Sequence, residues 1–297
     1  MANRARFRRT PTWCSRSSSS TSGCREADAP PNPGTEGDGR HSVPPFVSLT
    51  IGLISGSFGG LLGIGGGAVM VPLLTGWARL DQHSAHGTSL VGVVFTGIVG
   101  ALVYGKGAAV DWEAALLLAI GAVPATILAA RSSARIPAAL LRRFFGLFLI
   151  ANAVLLQFKE SFPVTGLLHG PASSVSLVLL GILVGGLSGL LGVGGGAVMV
   201  PGLALGPGFA QQLAQGTSLA AMVPSSAMGA AVHARLGHVR REIVFPLMAG
   251  IAAGSWIGGL SALSLPDRTL RLAFSVVLIW LGLRYLVRRP PPSRPPR

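Results

Sequence analysis

The chain has 297 residues, 49% of them hydrophobic and 11% charged, with 42 glycines and a mean hydropathy of +0.58. Soluble domains carry about a quarter charged residues, so this composition excludes an ordinary water-soluble enzyme and predicts an all-α integral membrane protein whose first partner is the lipid bilayer. The formal net charge of +14 is spread over the two ends and the short breaks between apolar runs, not over one helix or sheet face, which argues against a nucleic-acid partner and for cytoplasmic N- and C-termini.

Residues 1–44 are rich in Arg, Ser, Pro and Gly and hold almost nothing to bury, so they read as a disordered basic leader. No apolar stretch precedes Phe46, which removes a secretory signal; a translation start near Val43 or Val47 is a second reading. Cys14 and Cys24 both fall in this leader, so neither is a buried redox centre.

From Phe46 onward, apolar runs close to the ~20 residues a bilayer requires predict about eight helical segments. They lie near 46–63, 88–105, 113–131, 140–158, 174–192, 217–234, 243–264 and 270–287. Thr88-Ser89, Thr217-Ser218 and Pro266-Asp267 read as helix starts. The organisation is a leader (1–44), membrane repeat 1 (45–160), a linker (161–171), membrane repeat 2 (172–290) and a disordered tail (291–297).

The division into repeats rests on self-similarity. GLLGIGGGAVMVP at 60–72 recurs as GLLGVGGGAVMVP at 189–201, a constant offset of 129 residues, as from Pro72 to Pro201. The same offset carries Gly87-Thr88-Ser89-Leu90 onto Gly216-Thr217-Ser218-Leu219, and Phe145 onto Phe274. Basic residues are unequal in matching loops: Lys106 stands against Arg235, Arg240 and Arg241, whereas Arg131, Arg135, Arg142 and Arg143 stand against Arg268 and Arg271. That swap predicts a second half inverted across the membrane, provided each glycine-broken segment (about 46–76 and 175–205) enters and returns. Eight plain spans in parallel halves are the alternative.

Three glycines in a row inside an apolar segment mark an unwound stretch, since each weakens a helix by about 1 kcal/mol relative to alanine. Irregular backbone survives at membrane depth only where it lines a cavity or is buried in protein. Half-helices beginning near Ala68 and Ala197 would present free N–H groups to an anion, and paired broken segments point to a transporter's central site. The candidate substrate-binding residues are therefore Gly65, Gly66, Gly67, Ala68, Thr88 and Ser89, with Gly194, Gly195, Gly196, Ala197, Thr217 and Ser218 in the second half. For the hydroxyls, donation to a substrate oxyanion competes with plain N-capping. For the glycines, the rival use is close helix packing.

Tyr104 aligns with His233 near a helix end, as an interface anchor or as a gate or proton-responsive group. The polar stretch Gln82, His83 and His86 becomes Gln211, Gln212 and Gln215 in the second half, so the two histidines do not repeat as a metal site. No Asp, Glu, Lys or Arg falls at the middle of a predicted span, which disfavours a cation substrate, and Glu113 and Glu242 flank helix starts. No nucleophile–base pair is visible, so no enzyme activity and no cofactor are expected.

The duplicated G-L-L-G-[IV]-G-G-G-A-V-M-V-P, followed about 15 residues later by G-T-S-L, resembles the TauE/SafE sulfite-exporter family over roughly residues 46–287. The resemblance places the family motif on Gly65–Gly67, Pro72, Thr88, Ser89, Gly194–Gly196, Pro201, Thr217 and Ser218. It implies a bacterial-type inner-membrane transporter of sulfite, organosulfonates or related small anions. The expectation is thus a transporter or exporter of a small oxyanion such as sulfite, bound at the midplane between the two broken helices. Transport of a different small solute and a non-transporting membrane scaffold are the other readings.

Overall fold

Each of the two glycine-broken segments resolves into two helices, so the eight expected segments become ten among the described residues. In the computed structural model they are α1 (Pro45–Leu62), α2 (Gly67–Gly76), α3 (Gln82–Lys106), α4 (Trp112–Ser132), α5 (Ala138–Gln157), α6 (Pro171–Leu191), α7 (Gly196–Leu205), α8 (Gln211–Arg235), α9 (Arg241–Ser264) and α10 (Asp267–Val287). The structure describes residues 44–132, 138–158, 171–191, 195–235, 237 and 239–287. Expectations on residues 1–43, Arg135, the linker 161–170, Gly194 and the tail 291–297 lie outside the described residues.

Local chemistry sets the helix boundaries. Pro45 occupies the first turn of α1, where its missing N–H costs nothing. Gly63, at φ 70°, closes that helix in the left-handed conformation and donates its N–H to Gly59 O. Asp81 caps α3 by accepting the Ser84 N–H at 3.0 Å, and Asp111 caps α4 through Ala114 N–H at 2.9 Å. Here the structure corrects the sequence reading: Thr88-Ser89 and Thr217-Ser218 are not helix starts, because α3 begins at Gln82 and α8 at Gln211. An apolar-run criterion misses first turns whose polar side chains are buried in protein.

Helices pack chiefly across the repeats. α1 lies on α9, α4 on α6, α3 on α8 and α5 on α10. Glycine lets the first two pairs touch backbone to backbone: a Cβ on Gly56 would lie 2.6 Å from Ile251 O, and one on Gly60 2.5 Å from Ser255 O. Gly250, Gly254 and Gly258 answer from α9, and Gly121, Gly181 and Gly185 make the equivalent seam between α4 and α6. This is small-residue packing at four-residue spacing. The order of contacts gives directions: Gly52, Gly56 and Gly60 meet successively later residues of α9, so α1 and α9 run parallel. Contacts of α3 with α8 run the other way, from Leu90 against Gly229 to Tyr104 against Gly216, so these equivalent helices are antiparallel. The same holds for α5 and α10, where Gly146 meets Gly282 and Gln157 meets Ser275.

Polarity is turned inside out. Phe245 is 79% and Leu128 67% exposed, whereas Thr88, Thr217, Ser218 and Gln215 are fully buried. Water would penalise so much exposed apolar surface; lipid would not. Pro45–Leu62, Ser84–Lys106, Trp112–Ala129 and Glu242–Ser264 are each long and apolar enough to cross a bilayer, and no β-strand occurs among the described residues.

Candidate functional site

The first glycine turn runs from Gly63 to Gly66, with φ of 70°, 79° and 72° at Gly63, Gly65 and Gly66. Three left-handed residues cannot belong to a helix, and only glycine adopts them cheaply. Gly66 caps α2, and its carbonyl takes the N–H groups of Val69 (3.1 Å) and Met70 (2.8 Å). No backbone carbonyl among the described residues takes the N–H of Gly67 or Ala68, which are orphan donors of a helix N-terminus. Gly65 packs against Val93 and Met222, which sit halfway along α3 and α8. The turn therefore lies at mid-height of the bundle.

The second turn is described from Gly195, whose carbonyl takes the N–H groups of Val198 (3.0 Å) and Met199 (2.9 Å) at the start of α7. Gly195, Gly196 and Ala197 are buried. The two turns meet: a Cβ on Gly196 would lie 2.6 Å from Gly63 O and 2.7 Å from Ile64 Cα. They are closed on each other in this conformation. The cleft beside the first turn, lined by Phe58, Ile64, Gly66, Ala68 and Trp280 among others, holds about 10 Å³, room for about one water molecule.

Around this junction the four predicted hydroxyl residues divide by role. Thr217 Oγ1 accepts the N–H of Asp111 (3.0 Å), and Thr88 Oγ1 that of Arg240 (3.4 Å). Asp111 and Arg240 are themselves equivalent by the repeat, so each threonine pins the inter-helix loop of the opposite half. Ser89 Oγ donates to His86 O within its own helix (2.9 Å). Ser218 Oγ lies 2.8 Å from both Gly63 O and Gln215 O, and so ties α8 to the first turn.

Tyr104 is not an interface anchor. It is fully buried, and its hydroxyl lies 2.9 Å from both Gly60 O and Gln215 Oε1. His233, its equivalent, is half-buried in the last turn of α8. Sequence reasoning treated Gln211 and Gln215 only as part of a polar stretch, yet both are buried at the site. Gln215 packs on the first turn, with its Cα 2.7 Å from where a Gly63 Cβ would stand. The missed signal was two glutamines one helical turn apart, just ahead of Thr217-Ser218. Among the described residues no group of three or more His, Cys, Asp or Glu could hold a metal ion.

Comparison with known proteins follows this geometry. The family described as Sulfite exporter TauE/SafE matches residues 47–285. A Bacillus subtilis (strain 168) protein named "Probable membrane transporter protein YunE" is 30% identical over 81% of this chain and 97% of its own length. A Haemophilus influenzae "Probable membrane transporter protein" is 27% identical over 82% of this chain and 98% of its own. "Probable membrane transporter protein MJ0441" of Methanocaldococcus jannaschii is 32% identical over 53% of this chain and 60% of its own. No solved structure matches the chain. Both glycine turns, and the membrane-length helices except the first two residues of α1, fall within the matched region, and the chain belongs to the TauE/SafE family of multi-pass membrane transporters.

Proposed function

We propose that this protein moves a small oxyanion, of the sulfite or organosulfonate class, across a bacterial inner membrane through a midplane site between its two glycine turns. The observation that carries the reading is the meeting of Gly196 with Gly63 and Ile64, beside a turn held at the midpoints of α3 and α8. Helix N-termini there carry partial positive charge, and buried cavities at such broken helices suit anions. Gly65–Ala68, Thr88 and Ser89, with Gly194–Ala197, Thr217 and Ser218, form the proposed binding region.

The halves are inverted in this reading. α1 and α3 run parallel, since Gly59 meets Thr96 and Gly60 meets Tyr104. The α1–α2 segment then enters and returns to its own side, leaving three crossings per half. Antiparallel α3 and α8 support the inversion. The side holding the start of α1 and the end of α10 also receives Arg79, Arg131, Arg143, Arg235 and Arg240, against Lys106, Arg268 and Arg271 on the other. By the positive-inside rule that richer side is cytoplasmic, with both termini.

Purified protein in proteoliposomes tests the function. Saturable uptake of labelled sulfite, with no uptake of rubidium ion or glycerol, is expected. Uptake of rubidium or glycerol but not sulfite would assign another solute, and no uptake at all would leave a membrane scaffold.

A further inference from the structure

One face of α8 carries polar groups that the fold itself leaves unused. Gln211 and Gln215 are 1% and 0% exposed, and the Nε2 of each has no hydrogen-bond partner. They stand one turn apart, about 6 Å along the axis, between the start of α8, where Asp267 Oδ1 accepts the Gln211 N–H, and the mid-height residue Met222. Buried amides normally find partners, and an exception in a native fold calls for a reason. Neighbouring amides show that pairing was available: Gln212 Nε2 donates to the carbonyls of Ala262 (3.1 Å) and Leu265 (3.0 Å) at the end of α9.

Gln215 adds a switch. The Tyr104 hydroxyl has one proton and two acceptors at 2.9 Å, Gly60 O and Gln215 Oε1. If the proton goes to Gln215 Oε1, the amide is held with Nε2 free as a donor. If it goes to Gly60 O, an orphan carbonyl at the end of α1, the amide turns over, gives Nε2 to the phenol oxygen and leaves Oε1 free. An anion selects the first arrangement. A cation or a donor-bearing neutral solute selects the second.

We propose that Gln211 and Gln215 are substrate ligands: their Nε2 groups form an oxyanion-selective station on the non-cytoplasmic side of the midplane, running from the Gly63 turn, on which Gln215 packs, one α8 turn outward to Gln211. This rests on the anion-transport reading above and deepens it by assigning the donors that choose the charge of the solute. The station takes acceptor oxygens of a sulfite- or sulfonate-like group, with Ser218 and Tyr104 holding the adjoining turn in place.

The test pairs affinity with stability, using full-length protein and sodium sulfite as probe. Gln211→Met removes an unpaired buried amide, so its melting temperature without anion is expected to equal or exceed that of the parent, while the KM for sulfite uptake rises about tenfold, the worth of one hydrogen bond to a charged group. Gln215→Glu keeps the shape and loses the donor. It is expected to abolish the sulfite-induced rise in melting temperature, whereas Gln215→His, carrying the residue found at the equivalent position of the other half, retains part of it. A merely structural glutamine would instead lower the melting temperature and leave KM unchanged. Parental KM and parental sulfite response in both Gln211→Met and Gln215→Glu would overturn the assignment. Absence of sulfite uptake by the parent would overturn the transport reading as well.

Discussion

Adjacent glycines of α6 should respond to the same substitution with opposite signs. A Cβ on Gly185 would lie 2.7 Å from Ala122 Cα and 2.8 Å from Ala122 C, with the Ala122 carbonyl oxygen closer still. These are backbone atoms of α4 and cannot turn aside. Ordinary carbon contacts lie near 3.5–4.0 Å, so Gly185→Ala must push α4 and α6 apart by roughly 1 Å and loosen the whole seam. Overpacking of this kind costs about 1–3 kcal/mol, partly offset by the ~1 kcal/mol that alanine gains over glycine in a helix. Gly186 meets nothing within 4 Å, so Gly186→Ala keeps only the propensity gain. At roughly 2–4 °C per kcal/mol for a domain of this size, Gly185→Ala should lower the melting temperature of detergent-purified protein by a few degrees, and Gly186→Ala should raise it by a similar amount. Gly56→Ala, at the equivalent place against Ile251 of α9, should follow Gly185→Ala. If the two neighbouring variants shift together, in either direction, the backbone-contact account of these helix pairs is wrong.

Two further outcomes follow from the cross-repeat contacts. Thr217→Val leaves the partly buried N–H of Asp111 without its acceptor, which should destabilise by about 0.5–1.5 kcal/mol, while Thr217→Ser should sit within a fraction of that; equal melting temperatures for all three proteins would refute the tether. With Cys14 and Cys24 replaced by serine, single cysteines at Ala108 and at Arg240 should react with an impermeant maleimide from opposite faces of the membrane. Labelling from one face would refute the inverted arrangement.

The membrane class, the duplication and the broken segments were all legible in the sequence, because each depends on composition or on identity at a fixed offset. Pro266-Asp267 does open α10, but the starts of α3 and α8 were not legible. Asp81 caps α3 through Ser84, but Ser84, Thr88 and Ser89 are polar and buried, and Thr88 holds the Arg240 N–H. A rule that looks for apolar faces reads such a turn as a loop, although in lipid the polar side belongs inside. Of the two readings for Tyr104, the interface anchor fails for the same reason. A tyrosine near a helix end suits a lipid interface, yet its hydroxyl is spoken for by Gly60 and Gln215, residues distant in the chain.

The glycines make the point most sharply. Gly56 and Gly60 on one side, Gly63, Gly65 and Gly66 on the other, are separated by a few residues of the same segment, and for the crowded set the sequence offers packing and unwinding as competing explanations. The structure assigns both, to different residues. Those spaced by four press on α9 backbone, as the contacts of Gly56 with Ile251 and of Gly60 with Ser255 require; those crowded together take φ near 70–79° and reverse the chain. What separates the uses is the backbone: Gly56 and Gly60 stay helical against α9, whereas Gly63, Gly65 and Gly66 are left-handed whatever faces them, Gln215 for Gly63, Met222 and Val93 for Gly65, and the Ser55 carbonyl for Gly66. A firmly clamped α1–α9 pair ending in a turn that cannot be helical puts the rigid and the irregular backbone next to each other at mid-height. Under the proposed transport reading, that arrangement would let the turn rearrange around a solute while the seam beside it holds its register.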